Sequence, residues 1–153
     1  MDNIYKLRFT ILQMEILRFL SVKAGVSFNA RNLAKNLDVS PPAILKSLNL
    51  INKENLVKVK KDKDSGRLSI ELNRENKKVI ELKRIENLRL IYESKIVDYL
   101  SDLFPSSTII LFGSYSFGED TTDSDIDIGI IGERNKEINF SNFEKILERK
   151  ISL

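Results

Sequence analysis

Apolar residues recur along this chain first at helical and then at strand spacing, and the switches between the two mark its elements. Leu7, Ile11, Met14, Ile16, Leu17 and Leu20 return every three or four positions, which predicts a helix over 7–23. Asn29 is placed to cap a short helix over 30–37 that buries Leu33 and Leu37. After the turn Asp38-Val39-Ser40, Ser40 can cap a third helix whose first position is Pro41, where the missing N–H costs nothing. That helix runs to about Lys53 and buries Ile44, Leu48 and Ile51. Period two then takes over. Residues 56–61 and 67–72 alternate as strands around the polar turn Asp62-Lys63-Asp64-Ser65-Gly66, a β-hairpin with a charged tip.

Helical spacing returns at Val79, Leu82, Ile85, Leu88, Ile91, Ile96 and Leu100, and Asn73 is placed to cap it. No Gly or Pro interrupts 74–103, so the pattern predicts one long connecting helix rather than a flexible linker. Thr108-Ile109-Ile110-Leu111-Phe112 is β-branched and aromatic, which suits a buried strand, and it stops at Gly113-Ser114. A short helix is expected over 115–118. After ten intervening residues from Ser114, the run Asp125-Ile126-Asp127-Ile128 alternates acid and isoleucine, the period of a strand with unlike faces. A polar loop over 132–139, a helix over 140–150 capped by Ser141, and the start of a strand at Ile151-Ser152-Leu153 complete the reading.

Three helices followed by a hairpin resemble the winged helix-turn-helix domain over roughly residues 6–73, which makes residues 1–73 the expected first domain. The resemblance implies a third helix in the major groove of duplex DNA, with the hairpin wing beside the backbone. Lys46 on that helix and Lys60, Lys61, Lys63 and Arg67 on the wing would then hold phosphates. Lysines on a hairpin edge also deter strand aggregation, and the third helix has few side chains able to reach base edges. Protein docking or homodimerisation therefore stays open beside DNA binding.

Composition narrows the chemistry. The chain has 153 residues, with 42% hydrophobic and 31% charged positions, enough for one domain or two small ones of a soluble protein. No apolar run approaches the ~18 residues of a membrane span, and 1–6 lacks the pattern of a signal peptide, so a cytoplasmic location is expected. There is no cysteine and no histidine, so thiolate metal sites and the commonest general base are excluded. Residues 1–73 carry 13 basic and 7 acidic side chains, a net +6, whereas 74–153 carry 12 and 15, a net −3. A basic half joined to an acidic half suggests two modules and a polyanionic partner for the first.

Chemistry concentrates at 108–131. A glycine-serine corner after a strand lets the backbone turn sharply, and the helix start behind it directs N–H groups at an anion. Asp125 and Asp127 fall on one strand face, about 6.6 Å apart at the strand rise, and such a carboxylate pair suits a hard divalent cation such as Mg2+ or Mn2+. A phosphate cradle plus a divalent metal is the equipment for a nucleoside triphosphate.

Phe112-Gly113-Ser114-Tyr115-Ser116-Phe117-Gly118-Glu119 followed by Asp123-Ser124-Asp125-Ile126-Asp127-Ile128 resembles the minimal nucleotidyltransferases of the DNA polymerase β superfamily, over about residues 95–153. The resemblance implies an α+β protein whose nucleotidyltransferase core, residues 104–153, follows a connecting helix over 74–103. It implies that Gly113 and Ser114 hold the β- and γ-phosphates, that Asp125 and Asp127 are the catalytic, metal-holding carboxylates, and that a nucleoside monophosphate passes from an NTP, most simply ATP, to a hydroxyl. An antitoxin-like role with a HEPN-type protein partner is implied in the same way.

Two positions depart from the family pattern. Minimal members often carry arginine where Phe117 stands. The family's third carboxylate, on a later strand, corresponds here to Ser152. Either the third acid is absent or the sequence is a piece of a longer one. Glu133, Glu137, Glu144 and Glu148 lie in the vicinity, but none falls on a predicted adjacent strand. A non-catalytic alternative follows: a nucleotide-binding module that serves a DNA-binding regulator.

Overall fold

A computed structural model of the protein describes residues 8–132 and 136–153. Leu7 and Glu133, named above, lie outside the described residues. The chain forms two compact units, Met1–Asn76 and Lys77–Leu153.

The first unit holds helices α1 (Ile11–Val22), α2 (Ala30–Asn36) and α3 (Pro41–Lys53), then strands β1 (Val57–Lys61) and β2 (Leu68–Leu72). Asn29 and Ser40 cap α2 and α3 as their side chains predict, accepting from the amides of Asn32 and Ala43. For α1 the cap is Thr10, with Gln13 reaching back to complete a capping box, so the helix starts later than periodicity alone suggests. β1 and β2 pair antiparallel from Val57↔Leu72 to Lys61↔Leu68. Phe28 adds a bridge to Ile70 through two 2.8 Å backbone hydrogen bonds, a third short edge that the sequence does not announce. Ile16, Leu20, Leu33, Ile44, Ile51, Leu56 and Ile70 are fully buried and form the core of this winged helix-turn-helix unit.

The second unit contains α4 (Lys77–Glu93), α5 (Ile96–Leu103), β3 (Thr108–Phe112), α6 (Gly113–Phe117), β4 (Ile126–Ile131), α7 (Ser141–Leu147) and β5 (Ile151–Ser152). The sheet order is β3-β4-β5, with β3 antiparallel and β5 parallel to β4, so the sheet is mixed and the protein is α+β. Ile91, Ile96, Leu100, Phe104, Tyr115, Ile126, Ile128 and Leu147 form one core.

The single helix expected over 74–103 is two. Lys95 takes a left-handed conformation at φ 66°, and Ser94 turns its hydroxyl onto the Ile91 carbonyl at 2.8 Å. Helical phase explains the break. In a continuous helix Ile91 and Ile96 would point about 140° apart, and the face carrying Ile91 would next turn Asp98 inward. The kink brings Ile91 and Ile96 into one core and leaves Asp98 exposed.

Two caps also differ from expectation. Asn73 accepts from Glu75 N in a turn and donates to the Asn55 carbonyl, and α4 begins only at Lys77. At α7 the capping side chain is Asn139, which accepts from the amide and hydroxyl of Ser141; the helix ends at Leu147 because Glu148 is left-handed.

α4 is turned against its own apolar pattern. Its buried positions include Lys83, Glu86 and Asn87, whereas Ile85, Leu88 and Tyr92 are 67%, 48% and 59% exposed. Residues 79, 83, 87 and 91 lie at i,i+4 spacing and form the inward face.

Candidate functional site

The site is built around β4, the central strand. Asp127 pairs across the sheet with Phe112 on β3 and with Ser152 on β5. Asp125 stands just before β4 and is exposed; Asp127 is half-buried. The chain leaves β3 at Phe112 and turns at Gly113 into α6, so the glycine-serine corner lies beside Asp127.

How closely the two halves meet is shown by Gly113. Its φ is +72°, a conformation that favours glycine. A Cβ built there would fall on Asp127 Oδ2 and 3.0 Å from Asp127 Cγ, closer than any real side chain sits. The missing Cβ is what lets the carboxylate approach the corner. Gly113 and Asp127 are thus one feature, although 13 residues separate them in the sequence. Ser114 is half-buried on α6, and its carbonyl accepts from Glu119 N at 3.0 Å.

The intervening residues are equally determined. Gly118 ends α6 at φ +77°, and a Cβ there would lie 2.8 Å from Arg84 N and still closer to the Ile80 carbonyl, so α6 packs backbone to backbone on α4. Thr121 N donates to Ser124 Oγ at 2.9 Å, closing a small turn directly before Asp125. The Arg84 guanidinium lies over the Phe117 ring, 5.8 Å from its centroid, so α4 brings a cation beside Phe117.

Beneath the corner is a cluster that the sequence reading missed. Asp120 is fully buried and pairs with Lys83 and with Arg149, the latter at 3.3 Å. Asn87 donates to Asp120 Oδ1 at 2.7 Å and to the Tyr115 carbonyl at 2.8 Å. Burial, reinforced by the Asp120 charge, pushes the Tyr115 phenol well above its ordinary value. The signal in the sequence was the polar pair Lys83 and Asn87, at i,i+4 between the apolar residues Val79 and Ile91.

The residues present fit a divalent cation in a limited way. Asp125 and Asp127 supply carboxylate oxygens, the donors Mg2+ takes, and Mg2+ is commonly held by one or two carboxylates together with substrate phosphates. Among the described residues no group of three or more acids, histidines or cysteines is placed to hold a metal ion. Ser152, beside Asp127, carries a hydroxyl where a third carboxylate would complete such a group. Glu144 is engaged elsewhere: its carboxylate accepts from Ile151 N at 3.0 Å and from Lys150 Nζ at 3.3 Å, and the Ile151 amide holds it below its ordinary value of 4.5. Glu137 and Glu148 are exposed.

In the first unit, Lys61 and Arg67 line one groove of about 690 Å³ with Arg31, Asn32 and Leu45. Lys46, Lys60 and Lys63 are exposed but line no part of it. The wing tip is ordered by Asp62, whose Oδ1 accepts from Ser65 N at 2.6 Å and from Ser65 Oγ at 2.8 Å. These bonds, the amide first, lower its pKa. Among the described residues, no helix is long and apolar enough to cross a membrane.

Parts of this chain are similar to known proteins. Residues 93–152 match the family model described as "Nucleotidyltransferase domain". A curated relative from Methanocaldococcus jannaschii, named "Putative protein adenylyltransferase", is 41% identical over 61 residues. The match covers 35% of this chain and 61% of that protein, so the chain spans about three-fifths of the relative's length. Among solved structures, the zinc-responsive MarR family member ZitR of Lactococcus lactis aligns with TM-score 0.45 at 20% identity, covering 71% of this chain and 69% of that one. The MepR–DNA complex of S. aureus aligns with TM-score 0.45 at 19% identity, covering 64% and 80%. The match to that family model runs from the end of α4 into β5 and takes in the glycine-serine corner set against Asp127.

Proposed function

We propose that the second unit binds a nucleoside triphosphate, most simply ATP, with Mg2+ or Mn2+ and transfers its nucleoside monophosphate to a hydroxyl acceptor. The observation that supports this is the close approach of the Asp127 carboxylate to Gly113, which fits a backbone corner able to take an anion beside a carboxylate able to take a metal. Gly113 and Ser114 present backbone N–H groups to the terminal phosphates. Asp125 and Asp127 would hold the cation, which would supply neutralisation of phosphate charge. The relative's printed name supports a protein as the acceptor. A HEPN-type helical protein, and with it an antitoxin role, is the acceptor that the resemblance to minimal nucleotidyltransferases favours.

One observation favours a second reading. Ser152 lies opposite Asp127. Without a third carboxylate the unit would bind nucleotide and signal to the winged helix rather than catalyse. In either case the Arg31, Lys61 and Arg67 groove is the proposed contact for duplex phosphates.

The test uses α-labelled ATP with Mg2+, the full chain and candidate acceptor proteins. Label transfer that disappears in Asp125→Ala and in Asp127→Ala supports the enzyme. Saturable ATP binding with no transfer to any acceptor supports the regulator. No ATP binding sinks both.

A further inference from the structure

β5 pairs with β4 at Ile126↔Ile151 and Asp127↔Ser152. A slip of one residue in this pairing would turn Ser152 to the other face. On the other side of β4, the Gly113 corner meets Asp127 with no room for a methyl group. The placement of both neighbours, the Gly113 corner and β5, therefore bears on the Asp125–Asp127 segment.

One side chain reaches both. Asp120 Oδ2 takes Arg149, whose neighbour Lys150 accepts the Ile126 amide at 2.8 Å and leads directly into β5. Asp120 Oδ1 takes Asn87, and the same amide nitrogen of Asn87 donates to the Tyr115 carbonyl in the middle of α6. Lys83 completes the set on Oδ1. Asp120, Lys83, Asn87 and Arg149 are all at least 95% buried. Buried ion pairs are weak sources of stability, and their best-attested use is to fix register.

We propose that Asp120 is a positioning residue for the nucleotide site: through Asn87 it sets the Gly113–Ser114 corner, and through Arg149 it sets β5, on the two sides of Asp125 and Asp127. The part that concerns nucleotide rests on the reading given above. The arrangement has two separable arms. Asn87→Ala cuts the α6 arm and Arg149→Met cuts the β5 arm, whereas Asp120→Asn loosens both.

The test measures amide hydrogen exchange on the full chain, read at Gly118 and Glu119 for α6 and at Ile126 for β5, with the β1–β2 hairpin amides as reference. Binding of ATP with Mg2+ is measured on the same samples. Asn87→Ala is expected to speed exchange at Gly118 and Glu119 at least tenfold, to leave Ile126 within twofold, and to weaken ATP binding at least tenfold. Arg149→Met is expected to give the reverse exchange pattern. Uniform acceleration across the second unit, or unchanged ATP affinity in Asn87→Ala, overturns the proposal and leaves Asp120 a merely structural group. If Asp120→Asn does not fold, the two single-arm variants decide. A wild-type chain that binds no ATP sinks the nucleotidyltransferase reading, while the exchange patterns still decide whether Asp120 sets the two flanks.

Discussion

Replacing Gly113 with alanine tests the contact on which the site depends. Two costs combine. A residue with a Cβ held at φ +72° pays about 1–2 kcal/mol for the left-handed conformation. The new methyl also meets the Asp127 carboxylate, and overpacking of that kind costs about 1–3 kcal/mol. The expected loss is therefore about 2–5 kcal/mol of unfolding free energy in the second unit. The two terms separate in an Asp127→Ala background. There Oδ2 and Cγ are gone and the nearest remaining atom is Cβ, at 3.3 Å, tight but tolerable. Only the conformational cost of about 1–2 kcal/mol should remain, so the double-mutant cycle should return a coupling of about 1–3 kcal/mol. Urea unfolding followed by tyrosine fluorescence suits the measurement. The protein has no tryptophan, and three of its four tyrosines, Tyr92, Tyr99 and Tyr115, lie in the second unit. The slope of the transition must stay constant for the comparison to hold. If Gly113→Ala costs the same in both backgrounds, the close approach to Asp127 carries no energy and the reasoning from it is wrong. If it costs nothing in either, the left-handed turn is absent.

Three further outcomes follow from the same geometry. Ser152→Asp would set a third carboxylate beside Asp127; like-charge repulsion should lower the melting temperature without metal, Mg2+ should restore it, and label transfer should rise at least tenfold. An unchanged Mg2+ response would show that position 152 does not face the cation. Because the pKa of Glu144 is lowered in the fold, its hold on Ile151 is fully present above the ordinary value of 4.5 and is lost as pH falls through the depressed one; Ile151 amide exchange should accelerate in that window and lose its pH step in Glu144→Gln. Removing both Lys61 and Arg67 should lower the slope of log affinity against log salt for duplex DNA by about 2, read by anisotropy across a salt series, whereas Lys60→Ala plus Lys63→Ala should change it less.

Much of the fold could be read from periodicity and caps. Asn29 and Ser40 announce α2 and α3 because short polar side chains ahead of apolar periodic runs have few other uses. The glycine-serine corner and the acid–isoleucine alternation placed β3, α6 and β4, since each needs a distinctive residue at a fixed offset. The break at Lys95 could not be read, because it has neither glycine nor proline and arises from tertiary demand on helical phase. The orientation of α4 could not be read for a related reason. Ile85, Leu88 and Tyr92 outweigh Lys83 and Asn87 on any apolar scale, yet the polar pair is buried because Asp120 lies 33 or more residues away to receive it. Charged residues default to the surface in a sequence reading, and only a partner in space reverses that default. The Gly113–Asp127 contact is hidden likewise, because sequence spacing does not show that the two residues meet.

The seat of Gly118 on α4 also determines where this chain can accept extra residues. α6 rests on backbone between Ile80 and Arg84, and the Asp120 carboxylate grips the same helix at Lys83 and Asn87. One residue inserted between Ile80 and Asn87 would rotate everything beyond it by about 100° relative to the seat. Lys83 and Asn87 could then no longer both face Asp120 while Gly118 keeps its place. An insertion at the wing tip, Asp62–Gly66, displaces no such pairing. Tolerance to insertion along this sequence should therefore be lowest in an outwardly ordinary stretch of charged helix, well away in sequence from the glycine-serine corner that it supports.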